Sequence, residues 1–138
     1  MDLRQTSRLG VEARMKANSR RADALVRLRS MAESGQGADA LAWLLRECQS
    51  DPALLRLHVW RVSQAIYGTS DAAARRQVAR TAEWCRARDV DPATANLGWL
   101  LDERTKGARL SAWLLAVALD LGYRLPGPDP YDIQPASS

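Results

Sequence analysis

The sequence is poor in the residues from which catalytic and metal-binding sites are built. Its 138 residues include a single histidine, His58, and only two cysteines, Cys48 and Cys85. The cysteines are far apart and in no zinc-binding spacing, and each lies on an apolar helical stripe, which predicts buried free thiols. The sequence contains no Gly-rich phosphate loop and no nucleophile with a neighbouring base. We therefore expect neither an enzyme nor a bound cofactor or metal.

Long hydrophobic runs are also missing. The most apolar stretch, from Leu110 to Leu121, has about 12 residues, whereas a transmembrane helix needs about 20. The N-terminal region is charged and lacks the apolar segment of a signal peptide. The sequence therefore predicts a soluble, cytoplasmic protein that does not contact a membrane.

Alternation of polar and apolar residues, the mark of a half-buried strand, is likewise absent. Apolar residues recur at helical spacing instead, which predicts an all-α fold of about five or six helices. The first of them is long and basic and runs from about residue 9 to residue 33. We expect three parts: a basic, partly projecting N-terminal arm and helix over residues 1–20, a compact helical domain over residues 21–123, and a Pro-rich disordered tail over residues 124–138.

The predicted core face of the first helix is an apolar stripe. Its members are Val11, Met15, Ala22, Leu25, Val26 and Ala32. Because the stripe is thin toward the N-terminus, we expect only the part from about Arg21 onward to dock on the core. Lys16, Arg20 and Arg27 cluster on the opposite face of the same helix.

Proline and glycine predict the helix boundaries in the middle of the chain. Asp51-Pro52 predicts the start of a helix that ends at Tyr67-Gly68. Thr69 or Ser70 is then expected to cap a second helix, so that residues 51–88 form a helical hairpin. Asp91-Pro92 repeats the start signal and predicts a further helix of about a dozen residues.

Positive charge is concentrated in the first 30 residues, which hold eight Lys or Arg and three Asp or Glu. Their net charge of +5 exceeds the +4 of the whole chain. Such a segment is typical of proteins with a polyanionic partner, such as nucleic acid or an anionic membrane. The second hairpin helix carries another basic face, made by Arg75, Arg76, Arg80 and Arg86. This polarity suits a nucleic-acid-binding hairpin, and a hairpin with a merely solvated arginine face is the alternative.

Three segments give the chain a resemblance to a known family: ANSRRADALVRLRSMAESG, DPALLRLHVWRVSQAIYG and NLGWLLDERTKGARL. They resemble three segments of the actinobacterial-type integration host factors. In order, these are the long basic helix, the first hairpin helix preceded by a turn that begins with an acidic residue, and the closing basic helix. The resemblance covers about residues 17–115 and implies a helix-two-turns-helix core and nucleoid-associated DNA binding. The family's phosphate-binding turn reads Gly-Val-Gly-Lys, whereas Gly68-Thr69-Ser70-Asp71 stands here, with an acid in place of the lysine.

The leading hypothesis is therefore sequence-tolerant binding of duplex DNA through phosphate contacts by a nucleoid-associated protein. The expected contact residues are Lys16, Arg20, Arg27, Gly68, Thr69, Ser70, Arg75, Arg76 and Arg80. Specificity would come from DNA shape, because no set of base-reading residues is recognisable. The alternative is a helical protein–protein interaction module that has lost DNA binding and docks a partner through the stretch from Leu110 to Leu121.

Overall fold

A computed structural model describes residues 2–127, which form six α-helices and no strand. The helices are α1 (Leu3–Glu33), α2 (Gly37–Ser50), α3 (Val59–Tyr67), α4 (Asp71–Trp84), α5 (Leu97–Leu100) and α6 (Ala108–Asp120). Two short 3-10 helices, Pro52–Arg56 and Glu103–Thr105, lie between them. The predicted all-α class and number of helices are confirmed. None of the described helices is both long enough and apolar enough to cross a membrane. Most of the predicted Pro-rich tail, from residue 128 onward, lies outside the described residues.

The core is built around α3, which is short but buried along most of its length. α1 packs on α2 and α3, and α4 packs on α3 and α6, so the chain wraps around this helix. Val59 and Val62 of α3 are fully buried, as are Leu44 of α2 and Val78 of α4. Trp113 of α6 is the largest fully buried side chain, and its ring lies 6.4 Å from that of Tyr67 at the end of α3. Burial of these large apolar groups supplies most of the driving force for folding.

The long helix α1 docks through a different face from the predicted one. Its buried residues are Ala24, Leu28 and Met31, whereas Val26 is 67% exposed and Met15 is 64% exposed. Residues two positions apart lie about 200° apart on a helix, so Leu28 and Val26 cannot both face the core. Burial of the larger Leu28, in register with Ala24 and Met31, turns Val26 toward solvent. Of the predicted apolar stripe, Leu25 packs against the core, but Val11, Met15, Ala22 and Val26 are exposed, so the predicted orientation of α1 is wrong.

The single helix predicted from Asp51-Pro52 to Gly68 is divided in two. Asp51 accepts a hydrogen bond from the Ala53 amide as predicted for a cap, but only a 3-10 helix over Pro52–Arg56 follows. The chain then extends at Leu57, whose carbonyl accepts a 2.9 Å hydrogen bond from the Leu97 amide. The Val59 amide donates to the Ala95 carbonyl at 2.9 Å. This pairing with a distant segment takes the backbone groups that a continuous helix would need.

The helix predicted after Asp91-Pro92 is also shorter than expected. Asp91 accepts a hydrogen bond from the Ala93 amide at 2.9 Å, but the segment makes only a turn. Asn96 is extended and caps the four-residue α5 by accepting from the Trp99 amide at 2.9 Å. The helix cannot run through Asn96, because the residues on either side of it are hydrogen-bonded to the segment before α3.

The hairpin turn between α3 and α4 follows the local signals in the sequence. Gly68 ends α3 with φ 66°, a left-handed conformation that glycine adopts without steric cost. Ser70 rather than Thr69 caps α4, since its hydroxyl accepts from the Ala73 amide at 3.2 Å. The Asp71 carboxylate lies in the first turn of α4, where its negative charge interacts favourably with the positive end of the helix dipole.

The two cysteines are both free but differ in burial. Cys48 is buried on α2, whereas Cys85 is half-buried at the end of α4, so only one of the two is buried as predicted. Burial, with the nearby Asp51 and Glu47 carboxylates, raises the pKa of the Cys48 thiol to about 11. At neutral pH this thiol is therefore protonated, and only 7% of the residue is exposed.

We expect a thiol reagent at pH 8 to modify Cys85 in the native protein and Cys48 only after unfolding. Because the pKa of the Cys48 thiol is raised, its thiolate fraction at this pH is far below that of an exposed cysteine. The measurement is the number of thiols that react before and after addition of denaturant. Cys85→Ser is the control, and it should leave no rapidly reacting thiol. Rapid modification of this variant would contradict the assigned packing of α2.

Candidate nucleic-acid interface

The first half of α1 is exposed, and most of its charged side chains are positive. Every residue from 2 to 16 is exposed, and Asp2 begins the helix by accepting a hydrogen bond from the Arg4 amide at 3.3 Å. The basic residues of this half are Arg4, Arg8, Arg14 and Lys16. Within the described part of the chain none of the four makes an ion pair, and Glu12 is the acid among them. Lys16 therefore lies on a solvent-exposed surface, and no described carboxylate forms an ion pair with it.

One flank of α1 mixes positive and negative charge. Arg20 forms an ion pair with Asp51, with 3.0 Å between its Nε atom and a carboxylate oxygen. Arg20 and Arg27 line a surface cleft of about 260 Å³, together with Asp23, Glu47 and Asp51. Two of the predicted DNA contacts therefore lie beside three carboxylates, which oppose the approach of a phosphate.

The other flank of α1 carries positive charge alone. A cleft of about 240 Å³ is lined there by Arg21, Arg56, His58 and Arg61 over apolar side chains. The Arg21 guanidinium donates a 2.9 Å hydrogen bond to the Ala53 carbonyl and another to the side chain of Asn18, both neutral acceptors. None of the residues that line this cleft is acidic.

The predicted arginines on α4 differ in how far they are already engaged. The Arg75 guanidinium lies 4.7 Å from the centre of the Trp60 ring, and its Nε atom donates to the Asp71 carboxylate at 2.8 Å. Arg80 lies 3.4 Å from the Asp120 carboxylate. Arg76 is exposed and makes no ion pair within the described residues. Of these three arginines, Arg76 therefore loses the fewest existing interactions when it contacts a phosphate.

The aromatic side chain beside these arginines is not free to stack on a base. Trp60 is buried, and its indole N–H donates a 2.9 Å hydrogen bond to the Ala93 carbonyl. The guanidinium of Arg61, like that of Arg75, lies over its ring, at 4.8 Å from the centre. Such cation–π contacts hold both arginines in place at the junction of α3 and α4.

The hydroxyl groups of the hairpin turn are used inside the protein. Thr69 lies 2.9 Å from the Ser63 hydroxyl, which donates to the Gln77 amide oxygen at 2.6 Å. The Gln77 amide nitrogen in turn donates to Asp120 at 2.9 Å. This network joins α3, α4 and α6, and it satisfies polar groups that burial would otherwise leave unpaired. At the turn, Gly68 and Ser70 are exposed and Thr69 is half-buried.

The nine predicted contact residues thus lie on two elements, α1 and the α3–α4 hairpin, that both pack through α3. Arg21, Arg56 and Arg61 are not among the contacts predicted from the sequence. On one continuous helix, residues 56 and 61 would lie about 140° apart. The break at Leu57 brings both around a single cleft, and the only sequence signal for it was the turn that the family resemblance implies before the first hairpin helix.

The residue types that bind metals are scattered over residues 2–127. No group of three His, Cys, Asp or Glu residues there is arranged to hold a metal ion. A cleft of about 580 Å³ holds Cys48 and Asp102 among apolar side chains. Hydrogen bonds from Arg104 lower the pKa of the Asp102 carboxyl to about 2, so that it remains an anion paired with a surface arginine.

Comparison with known proteins does not indicate a function for this arrangement of charges. No protein-family model, no curated protein and no solved structure matches the chain.

Proposed function

We propose that the protein binds duplex DNA through the phosphate backbone, with little sequence preference. The observation that supports this is the exposed first half of α1, whose four cations have no carboxylate partner within the described residues. Lysine and arginine contacts to phosphates supply affinity but carry no sequence information. Specificity would therefore come from the shape and deformability of the DNA. A nucleoid-associated role follows from the same proposal.

The proposed contacts fall into two groups. The primary contacts are exposed, make no ion pair within the described residues and lie outside the carboxylate-lined cleft: Arg4, Arg8, Arg14, Lys16 and Arg76. Arg20, Arg75 and Arg80 are secondary contacts, because each must first leave a carboxylate. Exposed ion pairs contribute only about 0–1 kcal/mol, so such an exchange of partners costs little. Asp71 remains the acidic group at the hairpin turn that opposes a phosphate there.

The protein-interaction alternative finds less support in α6. Trp113, Ala116 and Val117 of this helix are buried, and Leu110 and Leu114 pack against the same core. The apolar character of α6 is thus largely explained by its packing on α4. This leaves a smaller apolar surface for a partner than the sequence alone predicts.

Salt-titrated binding to labelled duplexes tests the proposal. About four to six phosphate contacts give a slope of log affinity against log salt near −4 to −5. We expect duplexes of unrelated sequence to bind with similar affinity, since the contacts go to the backbone. Absence of binding at low salt, where electrostatic affinity is greatest, would reject DNA binding in favour of the protein-interaction role.

A further inference from the structure

The acid-free cleft beside α1 is distinct from the other charged surfaces of the domain. It is formed by α1 and by the chain on either side of the break at Leu57, with Leu25 and Leu57 as its apolar floor. Arg21, Arg56 and Arg61 surround it, and His58 adds an imidazole. The cleft on the opposite flank of α1 has a similar volume but contains three carboxylates. Charge therefore distinguishes the two flanks far more than shape does.

Two of the three arginines are held in place before any ligand arrives. Arg21 is fixed by its 2.9 Å hydrogen bond to the Ala53 carbonyl, and a neutral carbonyl does not cancel its charge. Arg61 is fixed by its stacking 4.8 Å from the centre of the buried Trp60 ring. Binding loses conformational entropy when long side chains become ordered. Here two of the three arginines are already ordered in the folded protein, so this loss is smaller. Arg56, exposed at the end of the 3-10 helix, completes the cluster.

We propose that this cleft holds a phosphodiester group of the DNA backbone, an inference that rests on the proposed DNA binding and assigns its anchoring contact. The planar guanidinium fork matches two phosphate oxygens, which makes arginine the preferred side chain for such a site. A volume of about 240 Å³ lies below the roughly 300–1,000 Å³ of sites for drug-sized ligands, and it suits a single phosphate group.

The position of the cleft fits a strand that continues along α1. Arg14 precedes Arg21 by seven residues, so the two lie within about 20° of each other and about 10 Å apart along the helix axis. A backbone anchored at Arg21 therefore passes next to Arg14 on the exposed half of α1. Arg20 and Arg27 lie about 100–120° around α1 from Arg21, so they are not on the path of this strand. The anchored strand is therefore placed on a flank of α1 that neither of these two predicted contacts occupies.

The test compares two double variants with equal loss of charge. Arg56→Ala with Arg61→Ala removes two cations of the cleft, whereas Arg46→Ala with Arg88→Ala removes two exposed cations that line neither cleft of α1. Each phosphate contact contributes about 0.9 to the salt slope, and the cleft holds one phosphate, so the cleft variant should lower the magnitude of the slope by about 0.9. The control variant should change the magnitude of the salt slope by less than about 0.45, which corresponds to half of one phosphate contact. Circular dichroism verifies that both variants retain their helices.

A single substitution keeps the inference testable if loss of the Arg61 stacking unfolds the domain. Arg56→Glu places a carboxylate in the cleft at an exposed position and should weaken binding at least tenfold more than Arg88→Glu. Equal salt slopes for the two double variants, or equal affinities for the two glutamate variants, would overturn the cleft assignment while the wild-type protein still binds DNA. Absence of binding by the wild-type protein would overturn the proposed function and the cleft together.

Discussion

Replacement of Leu28 by alanine is expected to lower the free energy of unfolding by about 2–5 kcal/mol. Leu28 is fully buried where α1 meets the core, so its truncation leaves a cavity among close-packed side chains. Domains of this size have a total stability of about 5–15 kcal/mol, so the loss is a large fraction of the whole. Urea unfolding measured by circular dichroism gives the change directly.

Val26→Ala provides the matched control on the same helix. Val26 is 67% exposed, and alanine is the better helix former, so we expect a change within about 0.5 kcal/mol. The pair of variants discriminates between the two possible rotations of α1, since the sequence pattern places Val26 inside. A large effect of Val26→Ala together with a small effect of Leu28→Ala would show that α1 docks through the predicted stripe.

Replacement of the four cations on the exposed first half of α1 by glutamine is expected to remove most of the DNA affinity. The variant carries Arg4→Gln, Arg8→Gln, Arg14→Gln and Lys16→Gln. Loss of four phosphate contacts lowers the magnitude of the salt slope by about 3.6, which leaves little of the expected total. Glutamine is a good helix former and residues 2–16 are exposed, so the helical content and the melting temperature should remain close to those of the wild type.

A second set of four substitutions controls for the change in net charge. Arg46→Gln, Arg88→Gln, Lys106→Gln and Arg124→Gln alter exposed side chains outside α1 and lower the net charge by the same amount. If affinity depends only on overall charge, the two sets will weaken binding equally, and α1 has no special role. If α1 is the contact surface, as proposed, the control set retains most of the salt slope. Both sets are measured on the same duplex in the same series of salt concentrations.

Local features of the sequence were sufficient to predict several helix ends. Gly68 provides the left-handed residue that closes α3, and the Ser70 hydroxyl caps the amide of Ala73 in α4. Each of these depends on side chains within a few residues of the helix end, so a single sequence shows them. Asp51 and Asp91 also accept the predicted hydrogen bonds, but each begins only a short turn or 3-10 helix. A cap predicts where a helix can start and carries no information about its length.

The length and rotation of the helices depend on groups that are distant in the sequence. The helix after Asp51 stops because the backbone around Leu57 pairs with residues 95 and 97. α1 carries two competing apolar stripes, and a periodic pattern cannot choose between them when both have helical spacing. The choice follows from which stripe fits against α2 and α3, where Leu28 is enclosed. The acid-free cleft was missed for the same reason, because it exists only after the chain breaks between Arg56 and Arg61.

The sequence by itself determined the helical class, the hairpin turn and the surplus of positive charge on α1, because these depend on composition and on residues that are near neighbours in the chain. Only the tertiary structure decided which arginines retain an uncompensated charge. Asp51 pairs with Arg20, and Asp120 pairs with Arg80. These carboxylates come from distant parts of the chain, and Coulomb interactions depend on distance in space rather than on separation in sequence.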